Sequence, residues 1–186
     1  MRYNIPNILT LLRIGLIPVF VVVFYLPFAG ANLWTAVLFG LAAVTDWLDG
    51  YLARRLQETS AFGAFLDPVA DKLMVATALV LLVQQNPSLF FAIPAVIIIG
   101  REIAISALRE WMAEIGERAQ VAVSEIGKIK TTLQMIAILL LLYREPVGLF
   151  PTHLVGMVCL YVAAVLTLWS MAVYLRAAWP ALTKSN

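Results

Sequence analysis

The sequence holds a single cysteine, Cys159, and a single histidine, His153. One cysteine excludes an internal disulfide and any cysteine-based metal cluster. One histidine argues equally against a histidine-based metal centre. Charge is also sparse: 13% of the 186 residues are charged, against about 25% in an average soluble domain, where about 45–50% are apolar. Here 62% are hydrophobic, which points to lipid as the solvent. The net charge of +2 is too small to argue for nucleic acid as a partner. Any metal would have to rest on oxygen ligands, which suits magnesium, manganese or calcium.

Six apolar stretches run over Ile8–Phe28, Leu33–Ala53, Val69–Val83, Leu89–Leu108, Thr131–Tyr143 and Leu154–Leu175. A membrane span needs roughly 20 mostly apolar residues. The expected fold is therefore an all-α integral membrane protein of six transmembrane helices, forming one catalytic domain over residues 1–186 with no separate soluble domain. Arg2 ahead of an apolar run resembles a signal peptide, but the run from Leu16 to Phe28 is long for one. It reads as a retained first span. The fifth run is short, so its span is expected to take in part of Ile126–Lys130.

Positive charge sorts by side. With the N-terminus in the cytoplasm and six alternating spans, the cytoplasmic segments carry Arg2, Arg54, Arg55, Arg109, Arg118, Lys128, Lys130, Arg176 and Lys184. The opposite side carries only Arg144, which sets the orientation by the positive-inside rule. Trp34, Trp111, Trp169 and Trp179 fall near the proposed span ends, where indole rings favour the interface. Glu110, Glu114 and Glu117, with Trp111 and Ile115 among them, read as an interfacial helix bearing solvated acids. His153 reads as an interfacial polar residue on the far side, and Cys159 as a small hydrophobe.

The remaining charges sit where charge is expensive. Arg13, Lys72, Arg101, Asp46, Asp49, Asp67, Asp71 and Glu102 fall in or at the edge of apolar spans. Near the bilayer centre each would cost at least about 2.5–3.5 kcal/mol. They must face one another, a metal or a wet cavity.

The acids follow a pattern: Asp46-x-x-Asp49-Gly50-x-x-Ala53-Arg54, then Gly63-x-x-x-Asp67-x-x-x-Asp71. At about 100° per residue, positions 46, 49, 50, 53 and 54 share one helix face, and positions 63, 67 and 71 share another. Proline is tolerated in a first helical turn, so Pro68 predicts that regular helix begins near Asp67. A turn around Arg55–Thr59 would bring the faces together. Four facing carboxylates repel unless cations lie between them, and two divalent ions would balance them. Sites of few oxygen ligands completed by substrate phosphates suit magnesium or manganese. Gly50 and Gly63 leave room for a ligand against the backbone, and Arg54 can fork onto a phosphate.

This pattern resembles the signature of the CDP-alcohol phosphotransferase family, with every signature position matched. Further stretches look like its phosphatidylglycerophosphate synthase branch: Asn4-Ile5-Pro6-Asn7-Ile8-Leu9-Thr10 with Arg13, Gly100-Arg101-Glu102 through Ala107-Leu108-Arg109-Glu110-Trp111, and Gly127-Lys128-x-Lys130-Thr131. The resemblance implies a six-helix membrane enzyme, usually a homodimer. Its two-metal site, loaded with Mg2+ or Mn2+, opens to the cytoplasmic leaflet of the bacterial inner membrane, and both termini are on that side. It implies that CDP-diacylglycerol meets an alcohol, CMP leaves and a phosphodiester forms. By position, Asp46, Asp49, Asp67 and Asp71 would bind metal, and Asp71 would accept the proton of the attacking hydroxyl. Asn7, Thr10, Gly50, Ala53, Arg54 and Gly63 would contact the CDP-lipid.

In the matched branch the acceptor is sn-glycerol 3-phosphate, whose phosphate needs a second basic pocket. Arg101, Arg109, Arg118, Lys128 and Lys130 are the candidates, with Arg101 foremost because its burial needs a reason. Three rivals stand beside this reading. A divalent-cation transporter would explain the acids but not Arg54, Gly63 and the basic cluster. A family member using serine, inositol phosphate or a second phosphatidylglycerol would share the same signature. A prenyl-transferring enzyme would carry a tighter aspartate cluster.

Overall fold

The computed structural model describes residues 5–56, 61–116 and 125–183. Six helices carry the fold: α1 (Ile5–Tyr25), α2 (Ala31–Leu56), α3 (Ala61–Gln85), α4 (Leu89–Glu114), α5 (Glu125–Tyr143) and α6 (Thr152–Thr183). Five of them contain a whole apolar stretch, and α1 covers the first only as far as Tyr25, three residues short of Phe28. Among the described residues the only β feature is a bridge between Val147 and Phe150.

Among the described residues, three helices hold windows long and apolar enough to cross a membrane: Ile8–Tyr25, Leu89–Glu114 and Thr152–Pro180. The shortest helix, α5, has 19 residues and is about 28 Å long, close to the hydrocarbon thickness of a bilayer. The outer surface is apolar. Leu89, Phe90, Val96, Ile103 and Val165 are between 63% and 74% exposed, a surface suited to lipid rather than water.

Inside, Phe20, Phe39, Leu79, Ile98, Ile138 and Leu160 are fully buried in one core. The Phe20 and Phe39 rings meet at 6.4 Å and tie α1 to α2. Helices α5 and α6 pack most extensively. Gly156 makes that closeness possible: a Cβ there would meet Leu141 Cγ at 2.9 Å. Arg144 ends α5 in the left-handed region, at φ 64°. Thr152 Oγ1 donates to the Glu145 carbonyl at 2.9 Å and fastens the turn into α6. The Arg144 guanidinium lies 5.6 Å from the Phe24 ring centre. His153 on α6 packs its ring 5.9 Å from that of Phe91.

Two local expectations are corrected. Helix α3 begins at Ala61, so Pro68 lies inside it rather than in its first turn. The missing N–H forfeits one bond, to the Ala64 carbonyl. Burial of Gly63, Ala70, Met74 and Ala78 along one face outweighs that loss. The acidic segment after Leu108 does not start a separate interfacial helix. No helix-breaking residue stands between Leu108 and Gly116, and α4 runs on to Glu114. Buried Met112, with Leu108 and Trp111, packs on Ala178 of α6. Gly116, at φ 73°, then ends the helix, its N–H donating to the Ala113 carbonyl. Glu110 and Glu114 are exposed, as expected of solvated acids. The segment before Thr131 is helical from Glu125.

Candidate active site

Asp46 lies on α2, ten residues before its end, and Asp67 and Asp71 lie in the first half of α3. These helices follow one another closely in the chain, and they pack. Asp46 sits near enough to Asp71 for the two charges to act on each other, with Arg13, Glu102 and Lys72 also acting on Asp71. Arg13 Nη1 donates to Asp46 Oδ1 at 2.6 Å. The Thr10 hydroxyl, fully buried, donates to Asp67 Oδ1. Helix α1 therefore supplies a cation and a hydroxyl, each held on one carboxylate. Thr10, expected at the CDP-lipid, supports Asp67 directly.

Among the described residues, no three His, Cys, Asp or Glu side chains converge on one point. The described donors nonetheless suit divalent ions. Asp46, Asp67 and Asp71 are hard oxygen ligands on two packed helices, and the mutual charge of Asp46 and Asp71 is of the kind a dication offsets. Gly63 is buried. Asn7, Asp49, Gly50, Ala53 and Arg54 belong to α1 and α2, but their side chains lie outside the described set. Arg118 lies outside the described residues altogether.

Beside the acids, between α3, α4 and α5, is a cavity of about 420 Å³. Its polar lining is Asp71 and Lys72 from α3, Arg101 and Glu102 from α4, and Lys130, Thr131 and Gln134 from α5. Glu102 Oε1 accepts from Arg101 Nη1 at 2.9 Å and from Lys130 Nζ at 3.1 Å. Arg101 Nη2 reaches Ser170 on α6 at 3.3 Å. Lys72 Nζ donates to Ser106 Oγ on α4 at 2.6 Å. One carboxylate between two cations leaves this wall with a net positive charge.

Of the basic residues expected at an acceptor, Arg101 and Lys130 line the cavity. Arg109 and Lys128 stand outside its lining and are exposed. The Arg109 guanidinium rests 5.2 Å from the Tyr174 ring centre on α6. The pairings of Arg13, Lys72 and Glu102 were not foreseen from the sequence, although their charges within apolar runs marked all three as needing partners. Gln134 carried no such signal.

The arrangement thus joins the interacting pair Asp46 and Asp71 to a cationic pocket through Asp71, which belongs to both. Its cations suit a phosphorylated ligand, with the Asp71 carboxylate in the same lining. Residues 3–169 match the model of a family described as CDP-alcohol phosphatidyltransferase. A relative from Pectobacterium atrosepticum is 59% identical over 181 residues, covering 96% of each chain. One from Sodalis glossinidius is 59% identical over 181 residues, again covering 96% of each. One from Yersinia enterocolitica is 57% identical over 182 residues, covering 96% of this chain and 97% of its own. All three bear the name CDP-diacylglycerol–glycerol-3-phosphate 3-phosphatidyltransferase. With a family match over most of its length and relatives this similar, the chain belongs to the CDP-alcohol phosphatidyltransferase family.

Proposed function

We propose that the protein transfers the phosphatidyl group of CDP-diacylglycerol to sn-glycerol 3-phosphate, giving phosphatidylglycerophosphate and CMP. The observation that carries this reading is the shared cavity, with Asp71 on one wall and Arg101 and Lys130 on others. A phosphate held by the two cations leaves the far hydroxyl of a short polyol directed to the carboxylate. The names borne by the relatives favour the same pair of substrates.

In the reaction the primary hydroxyl oxygen of the acceptor bonds to the phosphorus that carries diacylglycerol. The bond from that phosphorus to CMP breaks, and the hydroxyl proton passes to Asp71. A loose phosphoryl-transfer transition state leaves the proton in place until late, so a carboxylate is base enough. Asp46, Asp49, Asp67 and Asp71 would hold two divalent ions, Mg2+ or Mn2+, which when bound clamp the pyrophosphate and offset charge on the leaving group. Arg13 and Thr10 fix the orientation of Asp46 and Asp67. Asn7, Gly50, Ala53, Arg54 and Gly63 flank the cytidine diphosphate, and Thr10 acts on it through Asp67. Arg101 and Lys130 hold the acceptor phosphate, and Arg109, Arg118 and Lys128 form the basic approach to it.

All six helices cross the bilayer in this reading. The site and both termini face the cytoplasm of a bacterial inner membrane, and the enzyme works as a homodimer. The test is CMP release by purified protein given CDP-diacylglycerol with glycerol 3-phosphate, serine, inositol phosphate or phosphatidylglycerol. Glycerol 3-phosphate alone is expected to support turnover, and Asp71→Asn to bind CDP-lipid without turnover. Turnover with a different alcohol only, or wild-type rates from Asp71→Asn, would overturn the assignment.

A further inference from the structure

Gln134 stands on α5 one turn beyond Lys130, on the same helix face. It is 5% exposed, and it lines the cavity that holds Asp71 and Arg101. Its Oε1 is buried and accepts no hydrogen bond among the described residues. Arg101 Nε, in the same lining, is buried and donates none. The walls around them are mainly apolar, including Val75, Ala76, Ile98, Ile99 and Met135. A buried polar atom left without a partner costs about 1–3 kcal/mol. Both residues line one cavity, and two unmet atoms of opposite kind on its walls suit a ligand that offers both an acceptor and a donor.

A phosphate oxygen satisfies Arg101 Nε but cannot satisfy Gln134 Oε1, because a phosphate dianion has no proton to give. Oε1 requires a donor, and on such a ligand a hydroxyl supplies it. Resting on the reaction proposed above, the three polar groups of sn-glycerol 3-phosphate then divide among three places. The phosphate goes to Arg101 and Lys130, and the primary hydroxyl to Asp71. The secondary hydroxyl is left over.

We propose that Gln134 Oε1 accepts a hydrogen bond from the secondary hydroxyl of the acceptor and selects for acceptors that carry it. With the phosphate and the primary hydroxyl pinned, the third contact also fixes the handedness of the central carbon.

The test compares kcat/KM for sn-glycerol 3-phosphate and for 3-hydroxypropyl phosphate, the same molecule without the secondary hydroxyl. Wild type and Gln134→Met are assayed at saturating CDP-diacylglycerol. An unmet buried polar group predicts a wild-type preference of about 30-fold for glycerol 3-phosphate, shrinking to within about threefold in Gln134→Met. The KM for CDP-diacylglycerol should be unchanged. Gln134→Glu keeps the accepting oxygen. It should keep the preference while raising the KM for both acceptors through repulsion of their phosphate, and it decides the matter if the methionine variant does not fold. A wild type that uses both acceptors equally overturns the inference alone, as does a methionine variant that keeps the preference or a glutamate variant that loses it. A wild type that turns over neither acceptor overturns the proposed reaction, and the inference with it.

Discussion

Arg13 on α1 donates to Asp46 on α2 across 2.6 Å, with the arginine side chain 1% exposed and the aspartate 41%. The burial is lopsided. The cation is sealed inside the helix bundle, while the carboxylate stays partly open and close enough to Asp71 for the two charges to interact. Arg13 thus acts as a fixed counter-ion that turns Asp46 from within. A hydrogen bond to a charged group is worth about 1.5–3 kcal/mol, so Arg13→Met should lower kcat by about ten- to a hundredfold. Steady-state CMP release at saturating substrates checks this.

Glu102 bridges two cations that would otherwise repel, Arg101 and Lys130. Glu102→Gln leaves both short of an anion in a partly buried site. The variant should melt at a lower temperature in detergent. Glycerol 3-phosphate, bringing its own anion, should restore more of its Tm than it adds to the wild type. Equal shifts in the two proteins would mean that the phosphate does not enter beside Glu102.

The packing of α5 on α6 rests on Gly156, where an added Cβ would stand 2.9 Å from Leu141 Cγ and 3.2 Å from Leu140 Cβ. Neither atom is the free end of a side chain. Overpacking of this kind costs about 1–3 kcal/mol, so Gly156→Ala should lower the Tm in detergent with little change in either substrate's KM.

Much of the fold was legible in the sequence because the six apolar runs survive as six helices. Boundaries departed where runs and helices obey different rules. Polarity ends an apolar run, but α4 continues past Arg109 and Glu110 because Met112 still finds a buried place against Ala178. Pro68 misled for a related reason: one forfeited hydrogen bond matters less than the face that α3 buries. In the site, charges within apolar runs announced themselves, so Asp46, Asp67, Asp71 and Arg101 could be named. Their partners could not, because Arg13 meets Asp46, and Lys130 meets Glu102, only through the order in which the helices pack. Gln134 is neutral, and only the cavity around it gives it meaning.

Helix α5 carries polar residues at its start and is the shortest of the six, so it is the most direct test of the six-span reading. Lys128 in its first turn and Leu149 beyond its end are both exposed. In a Cys159→Ser background, Lys128→Cys should react with a membrane-impermeant maleimide in inverted vesicles only, and Leu149→Cys in right-side-out vesicles only. Labelling of both from one side would remove α5 from the spans.

The central claim is that acceptor phosphate and attacking hydroxyl share the cavity between α3, α4 and α5, with Arg101 at its phosphate end. The most direct measurement is the separate KM of Arg101→Ala for each substrate. Loss of a charge-assisted contact worth about 1.5–3 kcal/mol should raise the KM for glycerol 3-phosphate by about ten- to a hundredfold and leave that for CDP-diacylglycerol within about twofold. A rise of equal size for both substrates would contradict the account.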